Sequence, residues 1–366
     1  MSVEVAVNLL WCVPGDVGGS EEYLVRQLLG LAEVAPQWRA VAYTPAGFAD
    51  AHPELAAVGE IREAPIDGAS RARRIVTEAT WLRRKAGRAA LRHHGGGTAP
   101  TGATSPYVLT IHDLQYRTFP EHFGRLKRAY FEATMPRSAR QAAAVAVTTE
   151  YVRGTVIDAY DVDPLGVVVV PHGVEPALVT EVAPADELRR RYALGDGPIV
   201  VYPAVTNPHK NHAFLLELLR TRWTDADLRL VLIGGVGSAE PLVTACTDRR
   251  VCRLGRVPNA DRNGLLATAD ALVFPSRYEG FGAPLIESMT LGTPVVAADA
   301  ACIPEVVGNA GLVLPLDVDA WAGALDEVRR RRAELVDRGR ARALHYTAAR
   351  SGAALAGAYA VALERA

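Results

Sequence analysis

Two glutamates eight positions apart bracket a glycine turn in the segment Glu279-Gly-Phe-Gly-Ala-Pro-Leu-Ile-Glu287. The apolar run Ala271-Leu-Val-Phe-Pro275 precedes them and reads as a buried strand, closed by Pro275-Ser-Arg-Tyr278. A strand, a glycine turn and a helix start, in that order, leave main-chain N–H groups free at the strand's carboxyl end. Such groups are a natural seat for phosphate. A carboxylate accepts two hydroxyl donors well, so Glu287, two helical turns on, could hold hydroxyls of the same ligand. Phosphates beside hydroxyls are the chemistry of a nucleotide sugar.

A second candidate is Lys210, which falls between the run Ile199–Tyr202 and a helix that starts near Asn211. A helix N-terminus disfavours a cation, so a lysine there points to an anionic ligand. Positive charge placed where negative charge develops is the main electrostatic route to catalysis. His209 could add to it if charged. His112 and Asp113 close the run Tyr107–Ile111, at a strand's carboxyl end. Gly18 and Gly19 follow the first strand, and Gly234 and Gly235 end another; a plain turn is the competing reading for each pair. Two Asp-Val-Asp triplets, Asp161–Asp163 and Asp317–Asp319, sit in a turn and just before a helix. They are read as local structure, and no metal site is expected.

These residues need a frame that brings strand ends together. Val3–Leu10, Trp38–Thr44, Tyr107–Ile111, Ala143–Thr148 and Val167–Val170 read as strands with helices between them, the first helix running from Glu21 to Val34 under a Ser20 cap. A second cycle of strands covers Ile199–Tyr202, Leu228–Ile233, Val251–Leu254, Ala271–Phe274, Thr293–Ala297 and Gly311–Leu314. Its helices are Ala213–Arg220, Asp261–Ala269, Pro284–Thr290 and Ala320–Arg332. Alternation of this kind predicts parallel sheets covered by helices. The chain has 366 residues, natural for two such domains. The expected division is 1–178 and 179–346, with Glu175-Pro176 and Pro184-Ala185 marking the boundary. The alanine-rich helix 347–366 is expected to pack back on the first domain. Ligands of such sheets bind at the carboxyl ends of the strands, so the two domains are expected to face a central cleft.

Composition excludes several classes. A net charge of -1 gives no global case for nucleic acid. The four cysteines have no metal spacing and read as ordinary thiols. The N-terminus reads as a strand, not a signal peptide. No apolar run is long enough to span a membrane, and a cytoplasmic location is expected. Charge is uneven, however. Arg71, Arg73, Arg74, Arg83, Arg84, Lys85, Arg88 and Arg92 form a basic stretch opposed only by Glu78, with Ile75, Trp81 and Leu82 as an apolar side. Such a helix could lie on an anionic membrane or be a solvated helix. His93-His-Gly-Gly-Gly97 and the polar stretch 98–105 after it read as a mobile loop.

The pieces Pro208-His-Lys-Asn211, Leu254-Gly-Arg-Val-Pro258, Pro275–Glu287, Gly292-Thr-Pro-Val-Val296 and Ile303-Pro-Glu-Val-Val-Gly-Asn-Ala-Gly311, in this order, resemble the retaining glycosyltransferases of family 4. The resemblance extends over nearly the whole chain and implies the GT-B fold: two Rossmann-like α/β domains, the first binding the acceptor and the second the nucleotide sugar. It implies that Glu279 lies against the donor sugar and Lys210 against the diphosphate. It also implies that Glu287 takes the ribose, that the amides of Phe281, Gly282 and Ala283 face sugar and phosphate, and that His112 contacts the transferred sugar. Gly18 and Gly19 approach the phosphates, and Gly234 and Gly235 line the nucleotide pocket. In Pro171-His-Gly-Val174, His172 stands where the family often has asparagine. The family's arginine five residues before the lysine is replaced here by Val205, and Arg256 and Arg277 are the candidate substitutes.

The reaction expected from the resemblance moves a hexose from a nucleoside-diphosphate sugar to an acceptor hydroxyl with retention and without a cofactor. GDP-mannose is favoured over UDP- or dTDP-sugars, because the pattern, including Ile111-His-Asp-Leu114, resembles mannosyltransferases. A nucleotide-sugar hydrolase or epimerase on the same frame, or a non-catalytic sugar-nucleotide-binding protein, are the competing readings.

Overall fold

The computed structural model describes residues 2–16, 18–103, 106–174 and 177–366. Val17 of the expected loop 15–19, Thr104 and Ser105 of the polar stretch, and the Glu175-Pro176 boundary pair lie outside the described residues.

In chain order, the first part contains β1 (Val3–Asn8), α1 (Gly19–Val34), β2 (Trp38–Thr44), β3 (Glu60–Glu63), β4 (Leu91–His94), β5 (Tyr107–Ile111), α2 (Arg125–Gln141), β6 (Ala144–Val147), α3 (Glu150–Tyr160) and β7 (Val167–Val169). The second contains β8 (Ile199–Pro203), α4 (His212–Thr221), β9 (Arg229–Ile233), β10 (Val251–Gly255), α5 (Asn259–Thr268), β11 (Ala271–Phe274), α6 (Ala283–Leu291), β12 (Val295–Ala298), β13 (Leu312–Leu314) and α7 (Arg332–Ala343); α8 (Ala348–Glu364) closes the chain. Only helices of eight or more residues are numbered.

The chain divides into two compact units: Met1–Gly173 with Tyr346–Ala366, and Val174–His345. Among the described residues, the first holds a seven-stranded sheet of order β3-β2-β1-β4-β5-β6-β7. Every adjacent pair is parallel. The second holds six strands in the order β10-β9-β8-β11-β12-β13, again all parallel. Both orders are those of the Rossmann fold. In each sheet the order reverses between two central strands, and ligands of such sheets bind outside the carboxyl ends at that point. The reversal lies between β1 and β4 in the first unit and between β8 and β11 in the second.

Near-continuous apolar runs make these strands, because both sheet faces are covered. In the first unit α1 and α8 cover one face, where Val5, Val7, Leu9 and Val108 pack with Leu24, Leu28, Leu355 and Tyr359. The two helices approach closely. A Cβ on Gly352 would fall 2.1 Å from the carbonyl carbon of Gly30, so only glycine fits there. The other face carries the cluster Ala6, Leu10, Val41, Tyr43, Leu82 and Ala86 beneath the helix 71–85.

Four expectations are corrected. Leu91–His94 is a central strand and not the start of a loop, so Arg92 ends no helix, and His93 and His94 are buried. The buried His93 has partners on both nitrogens: Tyr359 Oη at 2.9 Å and Thr110 Oγ1 at 2.7 Å. Helix α1 starts at Gly19 with Gly18 at the N-cap, so Ser20 lies inside it and caps nothing. The helix expected over Ala320–Arg332 is broken at Gly323 into Val318–Ala322 and Ala324–Arg330. In the basic stretch Ile75 is exposed instead of forming part of an apolar side, while Glu78 is buried and meets Arg74, its Oε1 lying 3.7 Å from Arg74 Nε.

Candidate functional site

The reversal point of the second sheet collects the strongest sequence candidates. Lys210 follows β8 at the end of a short 3-10 turn, Pro208–Lys210. Asn211, next to it, holds the left-handed conformation (φ 58°) at the N-cap of α4, which asparagine tolerates better than most residues. Glu279 follows β11. The two meet: Lys210 Nζ lies 2.6 Å from Glu279 Oε1. Three further bonds stitch the two loops together. Tyr202 Oη donates to the Lys210 carbonyl at 2.8 Å and lies 2.9 Å from Ser276 Oγ, and the Arg277 N–H donates to the His209 carbonyl at 2.8 Å. The Cys302 thiol donates to the Glu279 carbonyl at 3.1 Å. The ammonium is thus held by its backbone as well as by its carboxylate.

The turn after Glu279 leads into α6. Gly282 is its N-cap, with φ 85°, a conformation that favours glycine. The first N–H groups of a helix have no intrahelical carbonyl to bond, so the amides of Gly282 and Ala283 are donors at a positive helix end. Phe281 is buried beneath the turn. Glu287, one face further along α6, is only 3% exposed. Its charge is met by Arg262 on α5, whose guanidinium donates to Oε2.

Gly234 and Gly235 end β9. Gly234 has φ 132°, and a Cβ there would sit 2.5 Å from the Ala204 carbonyl oxygen; the β9 and β8 ends approach too closely for any side chain. A Cβ on Gly235 would meet Arg256 Nε at 3.3 Å and Val205 Cγ2 at 3.7 Å. Arg256 therefore lies beside Val205, whereas Arg277 is exposed and is tied to the Lys210 loop through its backbone.

In the first unit His112 follows β5. Its Nε2 donates to the Gly95 carbonyl at 2.9 Å, and its ring packs edge-on against Trp11 and Tyr23. Burial brings its pKa down to about 4, so the ring is neutral. Nε2 carries the proton, and the buried Nδ1 has no partner and is left as an acceptor. Asp113 has a local role, its Oδ1 accepting the Gln115 N–H at 2.9 Å. His172 stacks on Tyr23 with ring centroids 4.2 Å apart. Gly18 has φ 71°, but a Cβ on Gly19 would meet nothing within 4 Å. Glu21 anchors this loop by accepting the Gly15 N–H at 3.0 Å.

The sequence reading missed the partners. Arg262, Tyr202 and Ser276 were not singled out. One signal could have found Arg262: a glutamate on the inward face of a helix needs a cation. Among the described residues, no group of three or more His, Cys, Asp or Glu is arranged to hold a metal, and no helix is long and apolar enough to cross a membrane.

Known proteins share this frame. Residues 17–178 match the family described as Glycosyltransferase Family 4, and residues 197–330 match Glycosyl transferases group 1. Each half of the chain thus matches a glycosyltransferase family model, and its two Rossmann-like domains have the GT-B fold. Among relatives, the O-antigen chain mannosyltransferase B of Escherichia coli is 30% identical over 223 residues, covering 58% of each chain. The MMP alpha-(1->4)-mannosyltransferase of Mycolicibacterium hassiacum is 30% identical over 264 residues, covering 65% of this chain and 61% of that one. The chain thus spans about three fifths of the length of these curated relatives. Among solved structures, Anabaena HepE in complex with UDP and glucose superposes with a TM-score of 0.76 at 18% identity, over 98% of this chain and 99% of that one.

Proposed function

We propose that the chain transfers a hexose from a nucleoside-diphosphate sugar to an acceptor hydroxyl, with retained anomeric configuration. The observation that carries this reading is the Lys210–Glu279 pair at the β8/β11 reversal point, 2.6 Å apart beside the amino end of α6. A diphosphate seated there meets the Lys210 ammonium, the amides of Gly282 and Ala283 and, beyond Gly235, the Arg256 guanidinium. All stabilise charge that grows as the sugar leaves. Arg256 then supplies the second cation that Val205 does not. Glu279, released from part of its bond to Lys210, orients the sugar and stabilises positive character at the anomeric carbon. The departing phosphate oxygen takes the acceptor's proton on the same face, so no enzyme nucleophile is required. Glu287, held in place by Arg262, accepts the ribose hydroxyls. Gly234 and Gly235 line the nucleotide.

In this reading residues 1–178 bind the acceptor and residues 179–346 the donor. His112 offers its unpaired Nδ1 to a hydroxyl of the transferred sugar, and Gly18 and Gly19 approach the phosphates. GDP-mannose is the favoured donor; the mannosyltransferase names of both relatives support it, and the UDP and glucose of HepE support a nucleotide sugar in general. The exposed basic side chains of Arg71, Arg73, Arg83, Arg84, Lys85 and Arg88, with Ile75 and Val76 also exposed, support peripheral contact with an anionic membrane at its cytoplasmic face. Mass spectrometry of the purified protein against GDP-, UDP- and dTDP-hexoses, with hydroxyl acceptors present and absent, tests the reading. Acceptor-dependent release of nucleoside diphosphate is the expected result. Hydrolysis at the same rate without acceptor would refute transfer.

A further inference from the structure

The reversal point of the first sheet carries a second polar cluster that the reading above does not use. Asn8 ends β1 and His94 ends β4, side by side in register. Both line the face covered by the helix 71–85. That helix opens into a π turn over Glu78–Leu82, an irregularity frequent at functional sites. Glu78, its first residue, turns inward and is 7% exposed.

Hydrogen-bond accounting fixes the roles. Asn8 Oδ1 accepts the Leu10 N–H at 3.2 Å, so Nδ2 carries the two protons. One goes to Glu78 Oε1 at 3.3 Å and the other to His94 Nδ1 at 3.2 Å. His94 Nδ1 is therefore the acceptor nitrogen, and the neutral ring carries its proton on Nε2. That N–H is buried and has no partner; His94 as a whole is 2% exposed. Such an orphan donor is costly and calls for an occupant. Beside it lies a cavity of about 30 Å³ walled by Ala6, Leu82 and Ala86, with Ala79 and Thr101 at its rim. The space fits one hydroxyl with its carbon, not a whole sugar ring.

We propose that this cavity is an acceptor subsite that takes one hydroxyl of a sugar or polyol. The hydroxyl oxygen accepts from His94 Nε2–H, and its proton is donated to the Glu78 carboxylate. A donor and an acceptor in one lining match a hydroxyl; Arg83 and Arg92 also line the cavity, but the Glu78 carboxylate among them disfavours an anion, and no group of three metal-ligating residues stands there among the described residues. The apolar walls suit the C–H groups that flank a sugar hydroxyl. Naming the acceptor as the occupant rests on the glycosyltransferase reading.

The test is saturation-transfer NMR on the full chain with methyl α-mannoside, methyl α-glucoside and methyl α-galactoside as probes, with GDP and UDP binding measured in parallel. At least one glycoside should bind. Glu78→Gln and His94→Leu should weaken it by about ten-fold or more, while His94→Gln, which keeps a donor, should lose less. Ala79→Trp changes an exposed residue at the rim and leaves the buried cluster intact; it should weaken binding equally with an unchanged melting temperature. Nucleotide binding should not change in any variant. Absence of glycoside binding, or binding indifferent to Glu78→Gln and Ala79→Trp, overturns the subsite and leaves a resident water as its occupant. Variant-sensitive glycoside binding without any nucleotide binding would leave the subsite standing and remove the donor reading.

Discussion

The guanidinium of Arg256 lies against the backbone of Gly235, where a Cβ would stand 3.3 Å from its Nε and 3.7 Å from Val205 Cγ2. Two loops far apart in sequence thus place a cation beside a valine on the same strand-end surface as Lys210. If that cation grips the donor's phosphates, Arg256→Ala weakens GDP or UDP binding by about ten-fold or more, the range for a charge-assisted hydrogen bond. Val205→Arg in the same background should recover most of the loss, because the two side chains start from adjacent points. Calorimetric titration decides it; unchanged affinity in Arg256→Ala would assign the phosphates elsewhere.

Arg262 and Glu287 make a prediction about stability as well as binding. Glu287 is nearly fully buried, and removal of Arg262 takes away a cation that meets its charge. Arg262→Met should lower unfolding free energy by about 3 kcal/mol in urea titration. Replacing both residues with apolar ones should cost less stability than the single change, yet still lose nucleotide affinity, since the proposed ribose contact goes with Glu287.

A pH dependence follows from His52. Its ring bridges Glu21 Oε1 at 2.8 Å and Glu54 Oε1 at 2.9 Å. Burial opposes the charged form, but the two carboxylates outweigh it and raise the pKa to about 9. A histidine raised above its unfolded value binds its proton more tightly when folded. Its contribution is complete below pH 6.5 and disappears as pH rises through about 9. The melting-temperature gap between the native chain and His52→Gln should therefore be largest near pH 6 and small by pH 10. Because Glu21 also holds the Gly15 N–H, the same variant should loosen the loop before α1, visible as faster amide exchange there.

Gly352 tests how α8 is held. Its absent side chain lets α8 touch α1 at Gly30. Gly352→Ala, although favourable for helix propensity, should destabilise by about 1–3 kcal/mol through overpacking. A stabilising effect in thermal denaturation would mean that the two helices part without cost.

Much of this molecule was legible in its residues, and the failures have physical causes. Trp38–Thr44, Tyr107–Ile111 and Ala271–Phe274 carry their observed limits in the sequence, because Tyr107–Ile111 and Ala271–Phe274 are unbroken apolar or β-branched runs and Trp38–Thr44 is interrupted only by Arg39 at its exposed start. Leu91–His94 was missed because Arg92, His93 and His94 look like a surface. The two histidines are interior, with partners distant in sequence: Tyr359 and Thr110 for His93, Asn8 for His94. Ser20 looked like the helix cap, but Gly18, at positive φ, turns the chain two residues earlier. At the site, single residues were visible and their pairings were not. Lys210 and Glu279 are 69 positions apart, and no spacing rule joins them; strand order does.

The account rests on Lys210 as the charge that receives the departing diphosphate. Lys210→Met keeps the stem of the side chain and removes the ammonium, so the most direct measurement is single-turnover sugar transfer by this variant against the native chain at saturating donor. A fall in the transfer rate of about 10²–10³-fold, the scale for loss of one preorganised charge-stabilising group, with an unaltered melting profile, is the predicted result. A transfer rate equal to that of the native chain would contradict it.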